Sequence, residues 1–127
     1  MIIGIGTDIV DIRRIERLLK AHGERFKTRC FTDYERSQGR DDTAYYAKRF
    51  AAKEACVKAL GTGFKAKITM TDISVERQDS GQPTISLSGA SADHLASLTP
   101  AGLTSHLHLS LSDEPPYAQA FVVIEAL

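Results

Sequence analysis

Residues 49–58 read Arg49-Phe50-Ala51-Ala52-Lys53-Glu54-Ala55-Cys56-Val57-Lys58. They lie inside a predicted helix that begins near Asp41-Asp42-Thr43, where an aspartate can cap the first turn. The helix is expected to run through Leu60, because Gly61 suits the left-handed conformation that ends many helices. The segment is therefore the middle of a long predicted helix.

This helix is predicted to be amphipathic, with a carboxylate at the edge of its buried side. Two sets of residues form an apolar stripe and an adjoining flank of small residues. They are Tyr46, Phe50, Val57 and Leu60 in the stripe, and Ala44, Ala47, Ala51 and Ala55 in the flank. Glu54 falls between them, where a partly desolvated carboxylate would need a cation. Lys58 lies one turn on, and from position alone an ordinary helix-stabilising pair with Glu54 is the preferred interpretation.

The start of the chain supplies a second carboxylate. The segment Ile2-Ile3-Gly4-Ile5-Gly6 predicts a short buried strand, and Asp8 follows it, where a side chain can project into a cleft. Two carboxylates from separate elements, without a Cys or His cluster, suit Mg²⁺, which keeps several waters and binds phosphates. Taken alone, Asp8 or Asp11 is better explained as a helix N-cap.

The rest of the pattern predicts an α+β fold in which basic N-terminal helices pack on a mainly antiparallel sheet. A first amphipathic helix is expected from about Asp11 until Gly23. Thr32-Asp33-Tyr34-Glu35 has the spacing of a capping box and opens a short helix that ends at Gly39. Strands are expected at 68–76, 84–88, 107–112 and 117–125, with a short helix at 91–98 and a final hairpin. Because no repeat or linker divides the chain, residues 1–127 are predicted to form a single domain.

Charge is distributed unevenly along the 127 residues. The chain carries 16 basic and 16 acidic side chains, so its formal net charge is zero. Residues 1–70 hold 15 of the basic and 9 of the acidic side chains, which gives this part a charge of +6 and the remainder −6. The basic part suggests an anionic partner, and the acidic remainder favours a local basic site over an unselective nucleic-acid coat.

Composition is that of an ordinary globular protein, with 43% hydrophobic and 25% charged residues. Cys30 and Cys56 lack the close spacing of a metal finger, and no disulfide framework can be read from them. The acidic Asp8 comes too early for a signal peptide, and no apolar run reaches the length of a membrane span. We therefore expect a reduced, cytoplasmic protein.

Two segments together carry a resemblance to a known family. They are Gly4-Ile5-Gly6-Thr7-Asp8-Ile9-Val10 and residues 49–63, which end in Leu60-Gly61-Thr62-Gly63. The chain resembles the bacterial holo-[acyl-carrier-protein] synthases, the short branch of the 4′-phosphopantetheinyl transferases. Ser80-Gly81-Gln82-Pro83 lies where that family has a Gly-x-Pro turn, and Leu109-Ser110-Leu111-Ser112 resembles the start of its closing hairpin.

The resemblance implies transfer of the phosphopantetheine arm of coenzyme A to a serine of apo-acyl carrier protein, in support of fatty acid biosynthesis, with release of adenosine 3′,5′-bisphosphate. It implies that Asp8 and Glu54 are Mg²⁺ ligands. Glu54, directly or through a water on the ion, could accept the serine proton. Lys58 would offset charge on the leaving phosphate, with Arg49 and Lys53 as further coenzyme A contacts. For Arg49 and Lys53, a solvated helix surface is an equal alternative.

Further coenzyme A contacts are implied outside the long helix. Gly61 and Gly63 offer backbone N–H groups that could approach a phosphate, with a simple helix cap as the alternative. Gly81 and Pro83 match the turn that lines the nucleotide site in relatives, with an ordinary hairpin turn as the alternative. Asp113 departs from the family pattern, because relatives often have a His there and an ionised Asp cannot donate a hydrogen bond. No role is carried over to Asp113.

The resemblance also implies a binding partner for the basic first part of the chain. Arg14, Arg25 and Phe26 match the docking positions of the family and would meet an acidic carrier protein. Relatives are trimers with sites between subunits, so a homotrimer is expected, with neither nucleic acid nor a membrane as partner. Two other function classes stay open: a non-catalytic module that binds carrier protein or RNA, and another phosphate-handling enzyme that uses the same acidic pair.

Overall fold

Five helices and five strands make up the part of the chain that the structure, a computed structural model, describes, namely residues 1–65 and 67–127. In chain order they are β1 (Ile2–Asp11), α1 (Ile12–His22), α2 (Glu24–Cys30), α3 (Asp33–Gly39), α4 (Thr43–Leu60), β2 (Ile73–Arg77), β3 (Pro83–Leu87), α5 (Gly89–Leu98), β4 (Ser105–Glu114) and β5 (Tyr117–Ala126). A 3₁₀ turn, Met70–Asp72, precedes β2. Within those two ranges, no helix combines the length and the apolar character that crossing a membrane requires.

The strands form two antiparallel sheets. β5 lies between β1 and β4 in the larger sheet, while β2 pairs with β3 in a separate hairpin. The predicted α+β fold with a mainly antiparallel sheet is confirmed, and so is the hairpin that closes the chain. Along β4, Leu107, Leu109 and Leu111 are more buried than the residues between them, as the alternating pattern predicts.

Helix α4 is enclosed by other elements instead of being buried along one stripe. Twelve of its eighteen residues are buried. The larger sheet packs on one side of it, and α1, α3 and β2 contact other sides. The buried surface of α4 is therefore wider than the predicted apolar stripe, and it includes even Arg49 and Lys53. Position around a helix predicts burial only when one side of the helix faces solvent.

β1 lies directly on α4 because two of its inward-facing positions carry no side chain. Alternate residues of a strand share a face, so Gly4, Gly6 and Asp8 all face the helix. A Cβ at Gly6 would overlap the carbonyl oxygen of Ala55 and lie 2.8 Å from the backbone nitrogen of Ala59. A Cβ at Gly4 would overlap the carbonyl oxygen of Ala59. The two backbones thus approach as closely as glycine permits.

Local capping signals predicted helix ends correctly. Asp11 caps α1, and Thr32 and Glu35 form the capping box of α3. Asp42 caps α4, and Gly61 ends it in the left-handed conformation. These ends were predictable because each cap depends on residues within one turn of the chain.

Other boundaries differ from the sequence prediction. β1 continues to Asp11 instead of ending at Gly6, because it pairs with β5 over this length. β2 begins at Ile73 instead of residue 68, because Met70–Asp72 forms a capped 3₁₀ turn. Helix α2 is missing from the prediction. Its signal is the pair Phe26 and Cys30, which are one turn apart and both buried.

Replacing Gly6 with Ala should lower the free energy of unfolding by about 1 to 3 kcal/mol, because the added methyl group pushes β1 away from the α4 backbone. Urea denaturation measures the loss. Gln82→Ala, at an exposed position in the turn between β2 and β3, is the control and should change the same quantity by less than about 0.5 kcal/mol. Equal values for the two variants would contradict the close approach of β1 and α4.

Candidate functional site

Asp8 and Lys58 form an ion pair where β1 passes the last turns of α4. The Lys58 Nζ donates hydrogen bonds to Asp8 Oδ1 at 3.1 Å and to the Thr7 carbonyl oxygen at 2.9 Å. The pair joins residues 50 positions apart. The carboxylate that Lys58 contacts is therefore Asp8 of the strand, and the preferred interpretation of Lys58 as the helix partner of Glu54 is wrong.

Asp8 is available for this contact because another residue caps the following helix. Asp11 Oδ1 accepts a hydrogen bond from the Arg13 backbone nitrogen at 2.9 Å and is the N-cap of α1. Asp8 lies inside β1, three residues earlier. The N-cap interpretation is thus confirmed for Asp11 and wrong for Asp8.

Glu54 brings a second carboxylate to the same place. Burial raises the pKa of Glu54, and the negative charge of Asp8 raises it further. The positive charges of Lys58 and Arg14 act in the opposite direction. Two carboxylates from β1 and α4 therefore interact here as like charges, and a cation between them would relieve their repulsion.

These two carboxylates fit a hard divalent ion that keeps part of its water shell. In residues 1–65 and 67–127, no group of three or more His, Cys, Asp or Glu side chains is arranged to hold a metal ion. Mg²⁺ needs only one or two carboxylates, because waters and substrate phosphates complete its octahedron. Asp8 and Glu54 are therefore the residues that could hold such an ion.

Lys53 does not belong to this site. Its side chain is completely buried, and its Nζ contacts Glu35 Oε1 at 2.6 Å. It also donates to the carbonyl oxygens of Cys30 at 2.7 Å and Met70 at 2.9 Å. Burial lowers the pKa of the Lys53 ammonium, and the Glu35 carboxylate opposes that effect. The expected coenzyme A contact and its solvated alternative are both wrong for Lys53, because all three donors are used inside the protein.

Arg49 points into a separate cavity of about 280 Å³, which Arg77 also lines. Its guanidinium carbon lies 3.7 Å from the centroid of the Tyr45 ring. Burial lowers the pKa of Arg49. Its Nε and Nη1 atoms are buried and have no hydrogen-bond partner within the described ranges. A buried guanidinium with unused donors is suited to an anion, and the solvated alternative for Arg49 is wrong.

The glycines after α4 serve the end of that helix. The N–H of Gly61 donates to the Lys58 carbonyl oxygen at 3.0 Å, and that of Gly63 donates to the Val57 carbonyl oxygen at 3.3 Å. These N–H groups are therefore not bare, and the coenzyme A contact of Gly61 and Gly63 stays a prediction. The cap interpretation is confirmed, since the groups satisfy helix carbonyls that would otherwise lack partners.

The β2–β3 turn lies beside the Arg49 cavity. Pro83 is opposite Arg77 in the β2–β3 ladder, and Arg77 lines the cavity. Gly81 has a φ of 88° in the turn between these strands, a conformation that favours glycine. The position of Gly81 and Pro83 suits both a nucleotide contact and an ordinary hairpin turn.

The residues expected to bind coenzyme A do not meet in one pocket of this chain. Arg49 and Glu54 are five positions apart on α4, which places them about 140° apart around the helix axis. Asp8 and Lys58 lie where α4 meets β1, whereas Arg49 faces Arg77 of β2. A single chain therefore presents two separate parts of the expected site.

The expected docking residues lie on α1 and the unpredicted α2. Arg25 and Phe26 line a cavity of about 330 Å³. Phe26 is 6.4 Å from the ring of Phe50, and the Arg14 guanidinium is 5.5 Å from that same ring. Because Arg14 also acts on the charge of Glu54, the basic surface adjoins the carboxylate pair.

Asp113, the departure from the family pattern, has a partner that the sequence does not indicate. The Lys48 Nζ lies 3.3 Å from its Oδ1. The contact joins the end of β4 to α4 across 65 positions of the chain. Such a pair cannot be found from local sequence spacing.

Lys53→Met should lower the free energy of unfolding by about 3 to 5 kcal/mol, because it leaves the Glu35 carboxylate buried without its cation. Urea denaturation measures the loss, and a second change, Glu35→Gln, should recover part of it. Lys20→Met removes an exposed pair with Glu16 and should cost no more than about 1 kcal/mol. A loss as small as that of Lys20→Met would contradict the structural role of Lys53.

Known proteins resemble the chain over nearly its whole length. The family model of the 4′-phosphopantetheinyl transferase superfamily matches residues 4–120. The holo-[acyl-carrier-protein] synthase of Phenylobacterium zucineum is 55% identical over 130 residues, which cover 100% of this chain and 94% of that relative.

Solved structures of two such synthases are also similar. The crystal structure from Neisseria meningitidis has a TM-score of 0.86 at 40% identity and covers 98% of this chain and 99% of its own. The structure from Helicobacter pylori, in complex with coenzyme A, has a TM-score of 0.83 at 32% identity and covers 95% of this chain and 99% of its own.

Proposed function

The chain belongs to the 4′-phosphopantetheinyl transferase superfamily, and we propose that it transfers the 4′-phosphopantetheine arm of coenzyme A to a serine of apo-acyl carrier protein. The observation that carries the proposal is the meeting of Asp8, Glu54 and Lys58 at one place. Phosphoryl transfer needs charge neutralisation and alignment, which two carboxylates and an ammonium group supply. We further propose that the product, holo-acyl carrier protein, serves fatty acid biosynthesis in the cytoplasm.

In this reaction the carrier serine supplies the nucleophile. Its oxygen forms a bond to the phosphorus that bears the pantetheine arm, and the bond from that phosphorus to the bridging oxygen breaks. The electron pair leaves with adenosine 3′,5′-bisphosphate, and Lys58 offsets the charge that grows there. The Glu54 carboxylate accepts the serine proton, directly or through a water.

Mg²⁺ is the ion that we propose for the carboxylate pair. Asp8 and Glu54 would hold it, and their mutual repulsion supports this assignment. When bound, the ion would neutralise the pyrophosphate of coenzyme A and help to align it. The glycines of β1 let the strand pack directly on the α4 backbone, and this close contact sets how near the two carboxylates lie.

A homotrimer would bring the two parts of the coenzyme A site together. The cavity with Arg49 and Arg77 has unused donors for a phosphate, yet it lies on another side of α4 from Glu54. The outer face of the larger sheet carries exposed apolar side chains, with Ile5 62%, Ile9 63% and Phe121 43% exposed. Such a face suits contact with a further copy of the chain. We propose that this contact sets the arginine cavity of one copy beside the carboxylates of the next.

The carrier protein is proposed to dock on the basic surface of α1 and α2. Arg14 and Arg25 supply positive charge, and Phe26 supplies apolar surface in the cavity beside them. Acyl carrier proteins are acidic, so charge complementarity would steer the encounter toward the neighbouring site. Such steering weakens as salt is added.

The direct test is to incubate the protein with coenzyme A, Mg²⁺ and apo-acyl carrier protein, and to follow the carrier by intact mass. The carrier should gain the phosphopantetheine arm only when Mg²⁺ is present. Glu54→Gln should reduce kcat by at least about a hundredfold while carrier binding persists, because the variant keeps the docking surface but loses a charge at the reacting phosphate.

Arg25→Glu is the matched variant for that experiment. It should raise the KM for the carrier and leave the KM for coenzyme A unchanged, because Arg25 lines the docking cavity, whereas Arg14 is the residue of that surface that acts on Glu54. An unmodified carrier under every metal condition would refute the transferase proposal. Parallel loss of carrier binding and turnover in Glu54→Gln would indicate a structural role for that residue.

Phe121→Glu should dissociate the proposed trimer, because it places a charge beside the exposed apolar side chains of the outer sheet face. Sedimentation equilibrium should show a trimer for the unaltered chain and a monomer for the variant, with transfer activity lost. Ala101→Glu, in an exposed turn outside the sheet, should leave the trimer intact. A monomeric unaltered chain that is fully active would rule out the shared site.

A further inference from the structure

The Lys58 ammonium forms an ion pair with Asp8, one of the two carboxylates that would bind the proposed metal ion. Its Nζ lies 3.1 Å from Asp8 Oδ1 and 2.9 Å from the Thr7 carbonyl oxygen, both on β1. The Asp8 side chain is only 18% exposed, so few directions are open for a second cation to approach it. A divalent ion and the ammonium group carry charges of the same sign and therefore compete for this carboxylate.

The Lys58 side chain can also move away from Asp8. It is 53% exposed and stands in the last turn of α4. A lysine there can swing its four-carbon stem without repacking the core. Lys53 shows the opposite arrangement, because its Nζ is completely buried and held by three acceptors. Of these two lysines, one is fixed in the core and the other is poised at the carboxylate pair.

We propose that Lys58 is an exchangeable counter-ion: it neutralises Asp8 in the free protein, is displaced when the divalent ion binds, and then pairs with a phosphate of coenzyme A. This inference rests on the proposed function and assigns a regulation to the same site. Metal and coenzyme A would consequently bind with positive cooperativity. The free protein would hold its two carboxylates without a metal and would bind the metal firmly only with the donor present.

The cooperativity follows from where the ammonium goes. A metal ion that binds alone must break the Lys58–Asp8 pair and leave the ammonium beside a like charge. With a phosphate present, the displaced ammonium gains a new partner, so the same displacement becomes favourable. By thermodynamic reciprocity, the metal increases the affinity for the donor by the factor by which the donor increases the affinity for the metal.

Mn²⁺ binding, followed by the electron paramagnetic resonance signal of the free ion, tests the proposal without relying on turnover. Its Kd is measured with and without coenzyme A, in the absence of carrier protein and with a protein-free mixture of Mn²⁺ and coenzyme A as the reference, and the ratio of the two Kd values is the coupling factor. In the unaltered protein this factor should be about fivefold or more. Lys58→Met should bind Mn²⁺ alone about two- to fivefold more tightly, the range that a half-exposed ion pair contributes. Its coupling factor should fall by about threefold or more, because the ammonium no longer moves to the phosphate.

Arg14→Gln is the matched control for loss of a positive charge. Arg14 acts on Glu54 through space, while its guanidinium lies over the Phe50 ring. This variant should leave the coupling factor unchanged. Circular dichroism establishes that both variants are folded. The proposal is overturned if Lys58→Met binds Mn²⁺ no more tightly than the unaltered protein, if its coupling factor is unchanged, or if Arg14→Gln reproduces both effects.

The same preparation separates this inference from the proposed function. If the unaltered protein transfers the arm with Mg²⁺ but Lys58→Met shows no change in Mn²⁺ binding, only the exchange of Lys58 is refuted. If the unaltered protein neither transfers the arm nor binds Mn²⁺, the transferase proposal fails and the exchange fails with it.

Discussion

The close approach of β1 to α4 is the constraint on which the rest of the structure depends. Gly6 lies against the carbonyl oxygen of Ala55, and no side chain larger than hydrogen fits between them. Because strand residues alternate, the same face that carries this glycine carries Asp8 two positions later. The helix residues that flank the contact include Glu54 and Lys58. A packing requirement between two backbones thus sets the position of a carboxylate and an ammonium group, and the chemistry of the site follows from how tightly the elements pack.

Consecutive residues of α4 have opposite tasks. Lys53 is directed into the core, where Glu35 and two carbonyl oxygens hold its ammonium, while Glu54 is directed to the partly buried carboxylate pair. The buried pair also joins the helix to the Val75 backbone nitrogen of β2, which donates to Glu35 Oε2 at 2.8 Å. The buried charges therefore join α4 to α3 and β2, whereas Glu54 remains partly exposed.

The fold distributes the basic residues of the chain over separate surfaces. The basic residues of the first half separate into a docking surface around Arg25, a cavity around Arg49 and the exchangeable ammonium of Lys58. Arg77, the single basic residue of the acidic half, completes the Arg49 cavity. A formal net charge of zero is thus compatible with several separate surfaces that could face an anion. They lie on different sides of α4, which is the physical reason to expect neighbouring copies to complete one another's sites.

The sequence by itself determined the features whose causes lie within one helical turn or one strand alternation. These include the Asp11 cap, the Thr32 capping box, the end of α4 at Gly61 and the alternating burial of β4. Only the tertiary structure decided which charged side chains are buried, where β1 ends and which carboxylate Lys58 contacts. Burial and ion pairing depend on elements that arrive from far along the chain, as the 50 positions between Asp8 and Lys58 show. Local spacing singled out Asp8 and Glu54 as candidates, and packing between distant elements places their charges near each other.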